Sequence, residues 1–184
     1  MTKSRDTADI LEDVKVDGNV TAVGQETLKD NTGAHNTGVG YRAMFNPSMS
    51  GSSNVAFGNY NLYANTSGAS NTALGYQSLF SNSTASNSTA VGYQSLYSNT
   101  TGSGNVSIGH QAGLDNTTGG NSVFVGKLAG QNVTTGAAHV LIGENTGSSI
   151  TTNNYNTFIG QGVGTSTTGG YNTFVGVSNG TTGA

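Results

Sequence analysis

Acid-base or metal chemistry in this chain would have to come from three histidines, six Lys and Arg and nine Asp and Glu. His35, His110 and His139 fall at three different phases of a seventeen-residue repeat, so they do not stack into one metal-binding column. Hydrolysis by paired carboxylates needs two acidic groups facing one another. Seven of the fifteen charged residues instead crowd into the first fifteen positions, and from Asn31 onward only Arg42, Asp115, Lys127 and Glu144 remain. Gly160, Gly162 and Gly164 form a GxGxG run, but no helical pattern follows to complete a phosphate cradle. Calcium-binding β-roll repeats carry Asp in their turns, where this chain has Asn and Thr. Amide oxygens alone are weak ligands, and there is no cysteine. The reading is a non-enzymatic chain with no metal and no cofactor.

Tyrosine is the remaining side chain suited to recognition. Phe45, Tyr63, Phe80 and Tyr97 recur at one phase, and Tyr41, Tyr76 and Tyr93 at another. Large, rigid, amphipathic rings make good contacts with sugars and proteins. Tyr41, Tyr63, Tyr76, Tyr93 and Tyr97 are therefore the candidate receptor contacts. The competing reading is that the rings stack between neighbouring strands and stabilise the fold.

The elements that must position these rings are set by the repeat. A bulky apolar residue precedes glycine at Val23, Val39, Phe57, Leu74, Val91, Ile108, Val125, Ile142, Ile159 and Val175, and the glycines step by 16 to 18 residues. Asn stands four residues before the glycine in six of the ten rungs. It is read as a hydrogen-bonding ladder. Runs such as TALG, VSIG and TFIG, bounded by Asn, Ser and Gly, are strand signals with turn punctuation. Seventeen residues are too few for two helices and a turn, and no apolar stripe at helical spacing occurs. The period predicts an all-β solenoid (a β-roll) of about ten rungs, with two short strands and two turns per rung. At about 4.8 Å per rung this makes a rod roughly 48 Å long.

With the repeat glycine as position zero, two columns trade volume. Position −2 is small in the lower rungs (Ala73, Ala90) and large in the upper (Phe124, Leu141, Phe158, Phe174). Position +4 is large below (Leu79, Leu96) and glycine above (Gly113, Gly130, Gly147, Gly164, Gly180). Such compensation is expected of columns facing each other across a close-packed interior. The Ser107/Gly113 rung is small at both, which predicts a constriction or a void. If −2 points inward, strand alternation sends −1 and −3 outward. Position −1 is always bulky and −3 is always Thr or Val. A wall of that length would be a very large exposed apolar patch, so it is expected to pack against other copies of the chain around a shared axis.

An apolar content of 33% leaves little bulk for a globular core, and a net charge of −3 without a basic run gives no footprint for nucleic acid. No run reaches membrane-spanning length. Lys3 and Arg5 precede TADILEDVKVDG, which lacks the apolar core of a secretory signal. Nine Asn-X-Ser/Thr sequons occur, among them Asn65, Asn82, Asn99 and Asn116, expected on surface turns but unglycosylated without export. Residues 1–18 differ in composition and form a cap or attachment segment, either a short helix over Ala8, Ile10, Leu11 and Val14 or a strand from Val14 and Val16. Residues 19–184 form the β-roll.

The phrases ANTSGASNTALGYQSL and SNTTGSGNVSIGHQAG resemble repeats of bacteriophage tail fibres and, more distantly, head repeats of trimeric autotransporter adhesins. The resemblance covers roughly residues 19–180. It implies a left-handed β-roll homotrimer in a virion fibre, exposed to the extracellular medium. Its expected partners are other virion or fibre proteins and a host-surface receptor, glycan or protein. A bacterial surface adhesin head is the alternative, although the signal peptide and anchor of that group have no counterpart here. A second alternative is an ice-binding solenoid, suggested by the Thr column at −3; Val55, Val106, Val123 and Val140 interrupt it.

Overall fold

The computed structural model describes residues 14–17, 20–165, 167 and 169–177. It is all-β, a solenoid of about nine turns with no helix among the described residues. After β1 (Val14–Asp17) come β2 (Val20–Val23), β3 (Asn36–Val39), β4 (Val55–Phe57), β5 (Thr72–Leu74) and β6 (Thr89–Val91). They are followed by β7 (Val106–Ile108), β8 (Val123–Val125), β9 (Val140–Ile142), β10 (Thr157–Ile159) and β11 (Thr173–Val175). The strands form one sheet in chain order, with β2 to β11 parallel. Identical repeat positions lie side by side, as in Thr72↔Thr89, Ala73↔Ala90 and Leu74↔Val91. β1 instead runs antiparallel to β2, pairing Val14 with Val23. It covers one edge of the sheet, and a long unpaired edge invites association. Val14 and Val16 lie in the strand β1; Ala8, Ile10 and Leu11 of the helix reading fall in residues 1–13, which with 18–19 and Gly180 lie outside the described residues.

Among the described residues each rung from β2 onward contains one strand, not the two expected. After the strand, positions +2 and +4 both adopt left-handed backbone, as at Gln77 (φ 57°) and Leu79 (φ 51°), or Gln94 and Leu96 (both φ 51°). That geometry bends the chain instead of extending it. The rungs still hydrogen-bond along the axis, with Leu79 N–H donating to Ser95 O (3.0 Å) and Leu96 N–H to Ala112 O (3.0 Å). The repeat glycine is required for two reasons. Its φ lies between 121° and 149°, and a Cβ on Gly75 would stand 2.5 Å from the carbonyl oxygen of Gly92.

Ala73, Leu79, Ala90, Leu96, Phe124, Leu141 and Phe158 are fully buried, each large one worth roughly 1.5–3 kcal/mol. The −2 and +4 columns do face each other. A Cβ on Gly130 would lie 2.4 Å from Phe124 Cδ1, and one on Gly164 would lie 2.2 Å from Phe158 Cδ2. The void expected at Ser107/Gly113 is filled by its neighbours. A Cβ on Gly113 would meet Phe124 Cδ2 at 2.8 Å and Leu96 Cδ2 at 3.0 Å. The Ser107 hydroxyl is also satisfied, donating to Ala112 O at 2.8 Å. Phe174 departs from the interior set: it lies in β11, the last strand in the sheet order, is 45% exposed and stacks on Phe158 at 5.1 Å.

Polar ladders complete the interior. At −4, each side chain accepts the backbone N–H of the next rung: Asn54 N–H to Asn36 Oδ1 (2.8 Å), Asn71 N–H to Asn54 Oδ1 (3.0 Å), Ser88 N–H to Asn71 Oδ1 (2.9 Å). Buried amide groups must be paired, and this column pairs them rung after rung. A second ladder runs through Asn65, Asn82, Asn99 and Asn116. The Nδ2 groups of Asn82, Asn99 and Asn116 each donate to Oδ1 of the residue below and to a carbonyl three residues ahead. These four sequon asparagines are fully buried, not on surface turns. In the folded chain they are closed to glycosylation.

Candidate functional site

Strand alternation decides which residues can meet a partner. With −2 buried, the −1 column points away from the interior. Phe57 is 56% exposed, and Val23, Ile108, Ile159 and Val175 are exposed as well. Val39, Leu74, Val91, Val125 and Ile142 are half-buried. The −3 column shares the face, with Val55 exposed and Thr72, Thr89, Val106, Val123 and Val140 half-buried. Ten parallel strands therefore present one face of Thr and bulky apolar side chains, two columns wide. No charged residue stands in either column.

The aromatic residues form stacks that run along the axis. At +5, Phe45, Tyr63, Phe80 and Tyr97 stack with centroids 5.5, 5.0 and 5.0 Å apart and planes within 17° of parallel. At +1, Tyr76 stacks on Tyr93 (5.8 Å) and Tyr93 on His110 (5.1 Å). Tyr41 meets the edge of Tyr60 at 5.3 Å, and Arg42 lies over Tyr41 and Phe45 while paired with Glu26. Each stacked pair is worth about 0.5–1.5 kcal/mol beyond its burial. The stacking also limits recognition. Within a column the ring faces cover one another, which leaves edges and phenol oxygens for a ligand. Tyr76 and Tyr93 are 42% and 44% exposed, whereas Tyr41, Tyr63 and Tyr97 are half-buried. Four of the five receptor candidates thus lie in stacks, Tyr63 and Tyr97 in one and Tyr76 and Tyr93 in the other, where ring faces meet one another, whereas Tyr41 meets Tyr60 edge-on.

Two of the histidines that the repeat phase set aside have structural roles. His110 extends the Tyr76–Tyr93 stack, and His139 takes the place of Asn at −4. The signal was in the alignment of columns, where His110 occupies the tyrosine phase and His139 the asparagine phase. A further stack was not foreseen: the amides of Gln77, Gln94 and Gln111 link at 2.9 Å per step. Glu26 pairs with Arg42, and Glu144 with Lys127 at 3.0 Å. Among the described residues no group of three His, Asp or Glu is placed to hold a metal ion. No helix among them is long and apolar enough to cross a membrane. What the arrangement can do is bind through a regular face. Compared with protein-family models, curated proteins and solved structures, the chain matches none.

Proposed function

We propose that this chain is a non-enzymatic shaft or head segment of a virion tail fibre that takes part in host-cell attachment, and that it works as a homotrimer. The observation that carries this reading is the uncharged face of Thr and apolar side chains running over all ten parallel strands. An apolar strip of that length in water is far larger than monomeric proteins normally expose. Copies of the chain arranged around an axis would cover it with one repeated contact. The resemblance of the repeat phrases to phage fibre repeats supplies the threefold symmetry and the location on the virion. Receptor contact, with a glycan or a protein, then falls to the outer turns and to the edges of the tyrosine stacks.

The test is the native mass by light scattering. Three chains of 18.5 kDa give about 55 kDa, the expected result. A clean monomer would leave the wall in water and overturn the trimer and the fibre reading together. The regular Thr/Val face would then be assayed against ice, by thermal hysteresis.

A further inference from the structure

The −4 ladder contains one group that can lose its function by gaining a proton. His139 is fully buried, in a column whose other rungs, from Asn36 to Asn172, carry only Asn or Ser. Its backbone N–H donates to Ser122 Oγ below (3.1 Å), and its ring Nδ1 accepts the backbone N–H of Asn156 above (3.2 Å). That bond repeats what Asn71 Oδ1 does for Ser88, so the ring stands in for an amide oxygen. The bond demands an unprotonated Nδ1, which places the ring hydrogen on Nε2. Nε2 is itself buried, beside Gly136 and the backbone of Asn153. An amide oxygen accepts at every pH, whereas an imidazole stops accepting once Nδ1 is protonated.

We propose that His139 is an acid-operated joint in the solenoid: protonating its ring opens the rungs of β9 and β10 while the rungs from β3 to β7 stay closed. Two buried N–H groups would then confront each other, Nδ1–H and Asn156 N–H, with a charge buried beside them. No counter-charge is at hand to absorb it. The column neighbours Ser122 and Asn156 do not ionise, nor does Gly136 or the backbone of Asn153 beside the ring, and no charged side chain acts on it. Burial pushes the imidazole below its ordinary value, outweighing the neighbouring backbone groups.

The sign follows from that direction. The unfolded or opened segment takes up its proton near pH 6.5 and the closed segment resists until lower pH, so stability is present above about 6.5 and falls as the solution is acidified. Over that window the closing equilibrium of the segment loses up to about tenfold per pH unit. The Asn and Ser side chains that fill −4 in the other rungs carry no such dependence.

The test is amide hydrogen exchange on the intact chain at pH 8 and pH 5, corrected for intrinsic rates and read by segment. The expected result is that protection around 140–159 falls at pH 5 relative to 72–91, and that His139→Asn removes the difference. Equal pH dependence in the native chain and His139→Asn would overturn the proposal. Proton NMR titration of the unsubstituted chain gives an independent reading that needs no variant. A His139 ring that titrates at or above about 6.5 would equally overturn it; a midpoint below that value that coincides with segment opening supports it.

Discussion

Replacing Phe124 by Ala and Gly130 by Leu, singly and together, would transplant the lower solution for filling the interior into the upper half. Alone, Gly130→Leu places Cβ 2.4 Å from Phe124 Cδ1 and 2.5 Å from Cε1, where comfortable carbon contacts lie at about 3.5–4.0 Å. The ring cannot retreat, since it already leans over Gly113, where a Cβ would stand 2.8 Å away. Overpacking of this kind costs about 3 kcal/mol or more. Seating an L-residue at φ 59° adds about 1–2 kcal/mol. Alone, Phe124→Ala empties the largest interior side chain of its rung and costs about 3–5 kcal/mol. If the effects were independent, the double variant would lose about 7–10 kcal/mol, comparable to the whole stability of a domain. The facing geometry predicts otherwise. The introduced leucine would enter the space left by the ring, as Leu96 does opposite Ala90 at φ 51°. The double variant should therefore recover about 3 kcal/mol or more relative to the sum. Urea unfolding followed by circular dichroism, at one protomer concentration because assembly adds stability by mass action, measures all four corners. Additivity within about 0.5 kcal/mol would refute the claim that the two columns share one space.

Three further outcomes follow from other parts of the fold. Gly75→Ala should destabilise by about 3 kcal/mol or more, from a Cβ 2.5 Å from Gly92 O at φ 124°, and is read as a fall in thermal midpoint. Asn71→Ala strands the Ser88 N–H and removes one of the two donors to the Ala85 carbonyl, for a loss of about 1–3 kcal/mol in the same assay. The exposed Thr101→Ala should stay within about 0.5 kcal/mol, and an equal loss at both positions would count against the ladder. In the proposed homotrimer, Val91→Asp would place an unpaired charge on the apolar contact between chains and should reduce the native mass from the expected value of about 55 kDa toward that of a single 18.5 kDa chain. A trimer that survives it would move the contact elsewhere.

Much of the architecture was legible because a parallel solenoid turns sequence columns into spatial columns. Thr72, Thr89 and Val106 are adjacent in the sheet for the same reason that they are in phase in the chain. The strand positions, the inward −2 column and its exchange of volume with +4 could be read from period and side-chain size alone, and so could the Asn ladder at −4. What period and composition do not carry is the sign of φ. Leu28, Met44, Leu62, Leu79 and Leu96 all sit in left-handed backbone, a conformation their side chains disfavour. The packing of the +4 column against −2 and the rung-to-rung hydrogen bonds of its backbone N–H groups hold them there, so the chain turns rather than forming a second strand.

The same division applies to the polar groups. Asn is equally at home in an exposed turn and in a buried ladder, so sequon spacing places Asn65, Asn82, Asn99 and Asn116 at the surface, and only their rung-to-rung bonds put them inside. Tyrosine in phase announced a column, but whether its faces meet a ligand or each other depends on ring orientation, which sequence does not encode. The sequence by itself determined the period, the sheet and the face each strand turns inward, since these need only side-chain size and alternation. Tertiary structure decided where the backbone turns left-handed, which amides are sealed inside and what the rings and His139 touch, because those outcomes rest on the contacts each rung makes with the next.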